Sequence, residues 1–202
     1  MKTDWILIKE RHAVLILAFL VVAEVLLVLL SWLLSSMMVD GVRSLLSDEG
    51  IRWFFGQYAT MILSPWLTYL LLLAMSAGVM KQSRILMSPT NYRERMSRRM
   101  ALILLLVFAL CVLLLTVIPH AILLSPTGTL FPSPFSRALL PIVALCLTLV
   151  STVYGYAVRT FSKIADVFHA MTMGIAQWAV LFVVYIFFMQ FYQSLTFVFF
   201  MP

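Results

Sequence analysis

A chain of 202 residues that is 63% hydrophobic and only 11% charged, with a mean hydropathy of +1.06, lacks the polar surface to cover a water-soluble core of its size. That composition excludes an ordinary soluble enzyme or nucleic-acid-binding domain, and the formal net charge of +6 must face something other than a polyanion in water. Five apolar runs, each long enough at 1.5 Å per residue to cross about 30 Å of hydrocarbon, place the chain in a bilayer.

The first span is expected at about Ala13–Ser35. It is too long for a signal-peptide core, and no small-residue cleavage site follows, so it is expected to stay as an anchor. Glu24 is the one acidic residue near the middle of a span. A charged acid at that depth costs about 2.5 to 3.5 kcal/mol on insertion scales. Two roles fit it: a proton or cation coupling group, or a neutral carboxyl bonded across a helix interface or to a partner subunit. No Lys or Arg of another span lies at matching depth, which favours the protonated or intersubunit version.

The outer segment Ser36–Gln57 holds a helix start, with Ser47 as the cap and Asp48 and Glu49 in the first turn, where the helix dipole favours carboxylates. Ile51, Trp53, Phe54 and Phe55 then predict a short helix lying at the outer interface and feeding a second span, Tyr58–Met80. Within that span Pro65, between Ser64 and Trp66, removes a helix hydrogen bond and frees a carbonyl. Transporters use such breaks to touch solutes or ions, but proline is also ordinary in membrane helices. Ser76, Ala77 and Gly78 form a small-residue patch suited to close helix packing.

The inner loop KQSRILMSPTNYRERMSRR carries Arg93, Arg95, Arg98 and Arg99. It reads as an orientation signal and lipid headgroup surface, or as a docking site for a cytoplasmic partner. The third span, Met100–Leu124, leads to an outer connection, His120–Arg137, expected to be an ordered non-helical loop because of Pro126, Gly128, Pro132 and Pro134, with Pro119 weakening the helix before it. The fourth span, Ala138–Val158, carries Thr148, Ser151, Thr152, Tyr154, Gly155 and Tyr156. The fifth, Met171–Phe199, carries Gln177, Tyr185, Gln190, Tyr192 and Gln193. Such groups hold membrane helices together at about 0.6 to 2 kcal/mol each.

The runs lack the alternation of barrel strands, so the expected fold is all-α: a polytopic helical bundle of five spans forming a single transmembrane domain over residues 1–202. With the N-terminus inside, eleven of the fourteen Lys and Arg residues fall on the cytoplasmic side, leaving Arg43, Arg52 and Arg137 outside, so the topology is N-in, C-out. Anionic lipid then receives the positive charge, and no nucleic acid is needed. Cys111 and Cys146 sit mid-span as small apolar groups. His12, His120 and His169 lie at span ends, far apart. No metal-ligand spacing, nucleotide loop or hydrolase constellation occurs, so no catalytic residue, metal or cofactor is expected; a lipid-modifying enzyme at the outer loop would lack a nucleophile and base.

Three stretches carry a family resemblance. SLLSDEGIRWFFGQYATMILSPWLTYLLLLAMSAGVMKQSRI (Ser44–Ile85), LFPSPFSRALLPI (Leu130–Ile142) and TVYGYAVRTFSKIADVFHAMTMGIAQW (Thr152–Trp178) resemble, in this order, parts of the p-aminobenzoyl-glutamate transporter (AbgT) family. The resemblance implies a multi-pass protein of the bacterial inner membrane related to secondary transporters. Such proteins are much longer and bind substrate and cations in re-entrant hairpins and broken helices. Between Arg84 and Leu130 this chain has only the basic loop and one apolar span, and none of the family's substrate-binding residues finds a matching position. The leading expectation is therefore a reduced, non-transporting or partner-dependent subunit, as a homo-oligomer or in a hetero-complex with another membrane protein. The runner-up is a small oligomeric secondary transporter for p-aminobenzoyl-glutamate-like or peptidyl-glutamate anions, proton-coupled through Glu24.

Overall fold

The computed structural model describes residues 2–39, 41–117 and 134–200, and among these it contains six helices and no strand. They are α1 (Lys2–Ser36), α2 (Asp48–Ile62), α3 (Pro65–Gln82), α4 (Tyr92–Val117), α5 (Pro134–Val158) and α6 (Ile164–Phe199). Five segments are long and apolar enough to cross a membrane, α2 and α3 counting together as one. At most 28% of any of their apolar windows is buried within the protein, so most of that surface must meet lipid or another protein.

Several helices run past their apolar cores, because backbone hydrogen bonding continues wherever an end is capped. The carboxylate of Glu94 accepts the N–H groups of Thr90 (2.7 Å) and Asn91 (3.4 Å), which starts α4 at Tyr92 and makes the Arg93–Arg99 cluster helical instead of a loop. Asp166 does the same for Ser162 (2.7 Å) and Lys163 (2.9 Å) at the head of α6, seven residues before the expected span. Pro134 opens α5, so the last four residues of the expected outer loop are helical; proline suits a first helical position because that N–H has no intrahelical acceptor. Pro119, His120, Pro126, Gly128 and Pro132, with the expected end of the third span, lie outside the described residues.

The helix break expected at Ser64, Pro65 and Trp66 within the second span falls at Leu63 and Ser64: α2 ends at Ile62 and α3 starts at Pro65. Pro65 lacks the N–H that would continue α2, and its ring disfavours a helical conformation at the residue before it. The short aromatic helix is present, with Ser47 Oγ accepting the N–H of Gly50 at 3.1 Å.

The chain divides into two compact units, Met1–Thr68 with Ala179–Pro202, and Tyr69–Trp178. In the first, Leu27, Leu45, Trp53, Phe197 and Val198 form the buried core, with the Trp53 and Phe197 rings stacked at 4.3 Å. Ser31, fully buried on α1, accepts the N–H of Leu45 at 3.2 Å, and Val198 O accepts the N–H of Arg43 at 3.1 Å, fixing the connection before α2. In the second unit, Val79, Phe161, Val167 and Ala170 form one buried cluster and Ala101, Val150 and Tyr154 another. Gly155 leaves room for the Phe161 ring, which a Cβ would meet at 2.5 Å from Cε2.

Candidate functional site

Glu24 lies about eleven residues from each end of the apolar part of α1. One carboxyl oxygen accepts a hydrogen bond from Ser194 Oγ of α6 at 2.7 Å. The other, Oε2, is buried and has no partner among the described residues. Gln190, one helical turn before Ser194, places its amide beside the same carboxyl. This is how a helical pair brings polar groups together at depth: Gln190 and Ser194 share a face of α6, and Glu24 meets it from α1.

Two cavities adjoin the carboxyl. The larger, about 250 Å³, is walled by Leu45, Leu46, Ile51, Phe54 and Phe55 with Glu24 and Gln190 at one side. The smaller, about 120 Å³, is lined by Leu20, Val21, Val25, Phe187 and the same two polar residues. Neither is lined by Lys or Arg. Among the described residues no three His, Cys, Asp or Glu side chains converge as a metal site would require. Chemically, the notch offers one carboxyl, one amide and aromatic walls: it can accept a donor or a cation, and it has no cationic group to hold an anion.

The break before Pro65 is closed on the protein itself. Ser64 Oγ and the Tyr185 hydroxyl lie 2.5 Å apart, and the same hydroxyl donates to Ile62 O at 3.3 Å, a carbonyl at the end of α2 that also accepts the N–H of Ser64 at 2.8 Å. Trp66 is exposed. Thus Ser64 and the carbonyl of Ile62 are occupied by Tyr185 and are not presented to a solute.

Ser76 and Gly78 are buried, and Ala77 is half-buried. A Cβ on Gly78 would lie 2.6 Å from Gly174 Cα, and one on Gly174 would lie 2.8 Å from Gly78 Cα, so the α3 and α6 backbones touch here. Ala74 and Ala170, each four residues earlier and fully buried, continue the contact. Gly174, Ala170 and Ser194 escaped the sequence reading. The small-residue spacing shared by both helices was a usable signal; a lone serine in an apolar run was not.

At the basic end, the arginines divide. Arg93 Nε donates to Ala157 O at 3.0 Å, and Arg98 Nη2 donates to Ile85 O at 3.1 Å and to Met87 O. These two tie α4 to the end of α5 and to the loop after α3. Arg95 and Arg99 are exposed and remain on the surface where headgroups would meet them. Lys81 Nζ donates to Gln177 Oε1 at 2.7 Å.

The AbgT putative transporter family matches residues 80–198, more than half of the chain. That stretch includes Leu130–Ile142 and Thr152–Trp178, and it leaves most of Ser44–Ile85 outside. The p-aminobenzoyl-glutamate transport protein of Escherichia coli (strain K12) is 34% identical over 79 residues, which are 39% of this chain and 16% of that protein. The aligned part is thus a small share of that relative's length. No solved structure matches the chain significantly. A match that enters at the end of α3 and runs through α4, α5 and nearly all of α6 covers the greater part of this multi-pass helical protein, and the chain belongs to the AbgT putative transporter family.

Proposed function

We propose that this chain is a partner-dependent membrane subunit built on AbgT-type helices, working in a bacterial inner-membrane assembly, neither catalysing a reaction nor carrying a solute by itself. The observation that supports this reading is the sign of the mid-membrane site. Its ionisable group is Glu24, no Lys or Arg among the described residues lines either adjoining cavity, and apart from the Gln190 amide the rest of the lining is apolar or aromatic. An anion such as p-aminobenzoyl-glutamate, the compound in the name of the E. coli relative, carries two carboxylates, and neither cavity offers a cationic group to pair with them. The large apolar surface left uncovered by the fold is consistent with a protein that completes its packing against others.

A small proton-coupled transporter remains the competing reading, and the intramembrane position of Glu24 is what favours it. The two separate by purification in mild detergent from native membranes, mass spectrometry of what stays bound in fixed ratio, and uptake of p-aminobenzoyl-glutamate by vesicles holding the purified chain alone. A stoichiometric second membrane protein with no uptake supports the subunit. Uptake by the chain alone, lost in Glu24→Gln, establishes the transporter.

A further inference from the structure

The notch at Glu24 is open to the outside of the fold. Val21 and Val25 on one flank are 42% and 54% exposed, and on the other Leu46, Ile51 and Phe55 are 50%, 45% and 77% exposed while walling the larger cavity. In a bilayer such walls meet lipid or another helix. Lipid acyl chains have no hydrogen-bond donor to offer the buried Oε2, which has no partner among the described residues. A lipid headgroup does not reach the middle of the membrane, whereas a side chain carried by a second helix starts there.

We propose that this notch seats a lysine or arginine held at mid-depth by a transmembrane helix of a partner protein, which pairs with Glu24 and closes both cavities. The inference rests on the subunit reading and names the chemistry of the partner. Charge complementarity selects the basic side chain: Glu24 is half-satisfied, and no Lys or Arg among the described residues lines either cavity beside it. Size permits it, since about 250 Å³ beside the carboxyl exceeds what a four-carbon stem and an ammonium need. Phe54 and Phe55 supply aromatic wall for the stem. For the partner the benefit is mutual: a basic residue at mid-depth is as costly alone as the acid is, and pairing within the bilayer offsets both.

The test uses the purified full chain, fluorescently labelled, in phosphatidylcholine vesicles with synthetic polyleucine transmembrane helices bearing an acceptor dye and either one central lysine or none. Energy transfer is expected to report association about tenfold stronger for the lysine helix than for the plain one. Glu24→Gln should reduce the lysine helix to the level of the plain one. Leu46→Trp, which fills the larger cavity from an exposed position without touching the carboxyl, should do the same, and circular dichroism verifies that each variant is folded. Equal association of both helices, or a lysine preference that survives Glu24→Gln in folded protein, overturns the proposal. Binding of dodecylamine that requires Glu24, without any preference for the lysine helix, also overturns it and makes the notch a small-amine site. Uptake of p-aminobenzoyl-glutamate by the same vesicles without any added helix would instead sink the subunit reading, and it is scored independently of the helix preference.

Discussion

Gly78 of α3 and Gly174 of α6 meet backbone to backbone, with no side chain between them. Contact this close is available only to residues without a Cβ, and it is a common way for membrane helices to gain packing where no water is expelled. Gly78→Ala should therefore lower stability by about 1 to 3 kcal/mol, and Gly78→Leu by more, read as the thermal midpoint in mild detergent. An unchanged midpoint in Gly78→Leu would mean that these helices are not in contact.

Tyr185 reaches the junction between α2 and α3 with its hydroxyl. Tyr185→Phe keeps the ring and removes the partner of Ser64 Oγ and one of the two donors to Ile62 O, so it should cost about 1 kcal/mol and speed hydrogen exchange of the amides around Leu63. Exchange unaltered there, with the change elsewhere, would contradict the assignment.

Ser194→Ala strips Glu24 of the hydroxyl that bonds Oε1, adding a second bare oxygen to the first. It should destabilise by about 1 to 3 kcal/mol. Glu24→Leu removes the polar group altogether and should leave the isolated chain as stable as before or more so, while abolishing capture of a basic helix. A large loss of stability in Glu24→Leu would make the carboxyl a structural element of this chain.

Arg98 and Arg99 are neighbours with different expected behaviour. Arg98→Ala frees the carbonyls of Ile85 and Met87, and hydrogen exchange across the connection between α3 and α4 should rise. Arg99→Ala, at an exposed position, should leave it unchanged and instead weaken binding to vesicles containing anionic lipid.

Topology is open to chemical labelling. With the N-terminus inside, Met38→Cys should react with a membrane-impermeant maleimide added to intact cells, and Ser88→Cys only after the cells are opened; both positions are exposed. The reverse pattern would invert every sidedness given above.

The spans were legible because length and apolarity leave so little choice in a bilayer; Ala13–Ser35 could hardly be anything but a helix. Ends were less so, since Glu94 and Asp166 extend α4 and α6 by accepting backbone N–H groups, a contact that hydropathy does not register. Pro65 announced the break, yet nothing near it in the chain announced that Tyr185, more than a hundred residues away, would bond Ser64 and Ile62 O across it. Glu24 stood out as an acid among leucines and valines, whereas its partner Ser194 did not, because a serine in a membrane helix commonly bonds its own backbone. The arginine cluster looked uniform as a string of charges. Only the fold separates Arg93 and Arg98, spent on carbonyls, from Arg95 and Arg99.

The 36 residues of α6 amount to about 54 Å of helix along the chain, far more than a hydrocarbon layer of about 30 Å. Even its apolar part, from Met171 onward, outruns that thickness, so the helix must lean, bend, carry its end into the headgroups or thicken the lipid around it. Each response costs less in a membrane of longer acyl chains. This protein should therefore be more heat-resistant in vesicles of long-chain than of short-chain phosphatidylcholine, and within a cell it should gather where the bilayer is thick.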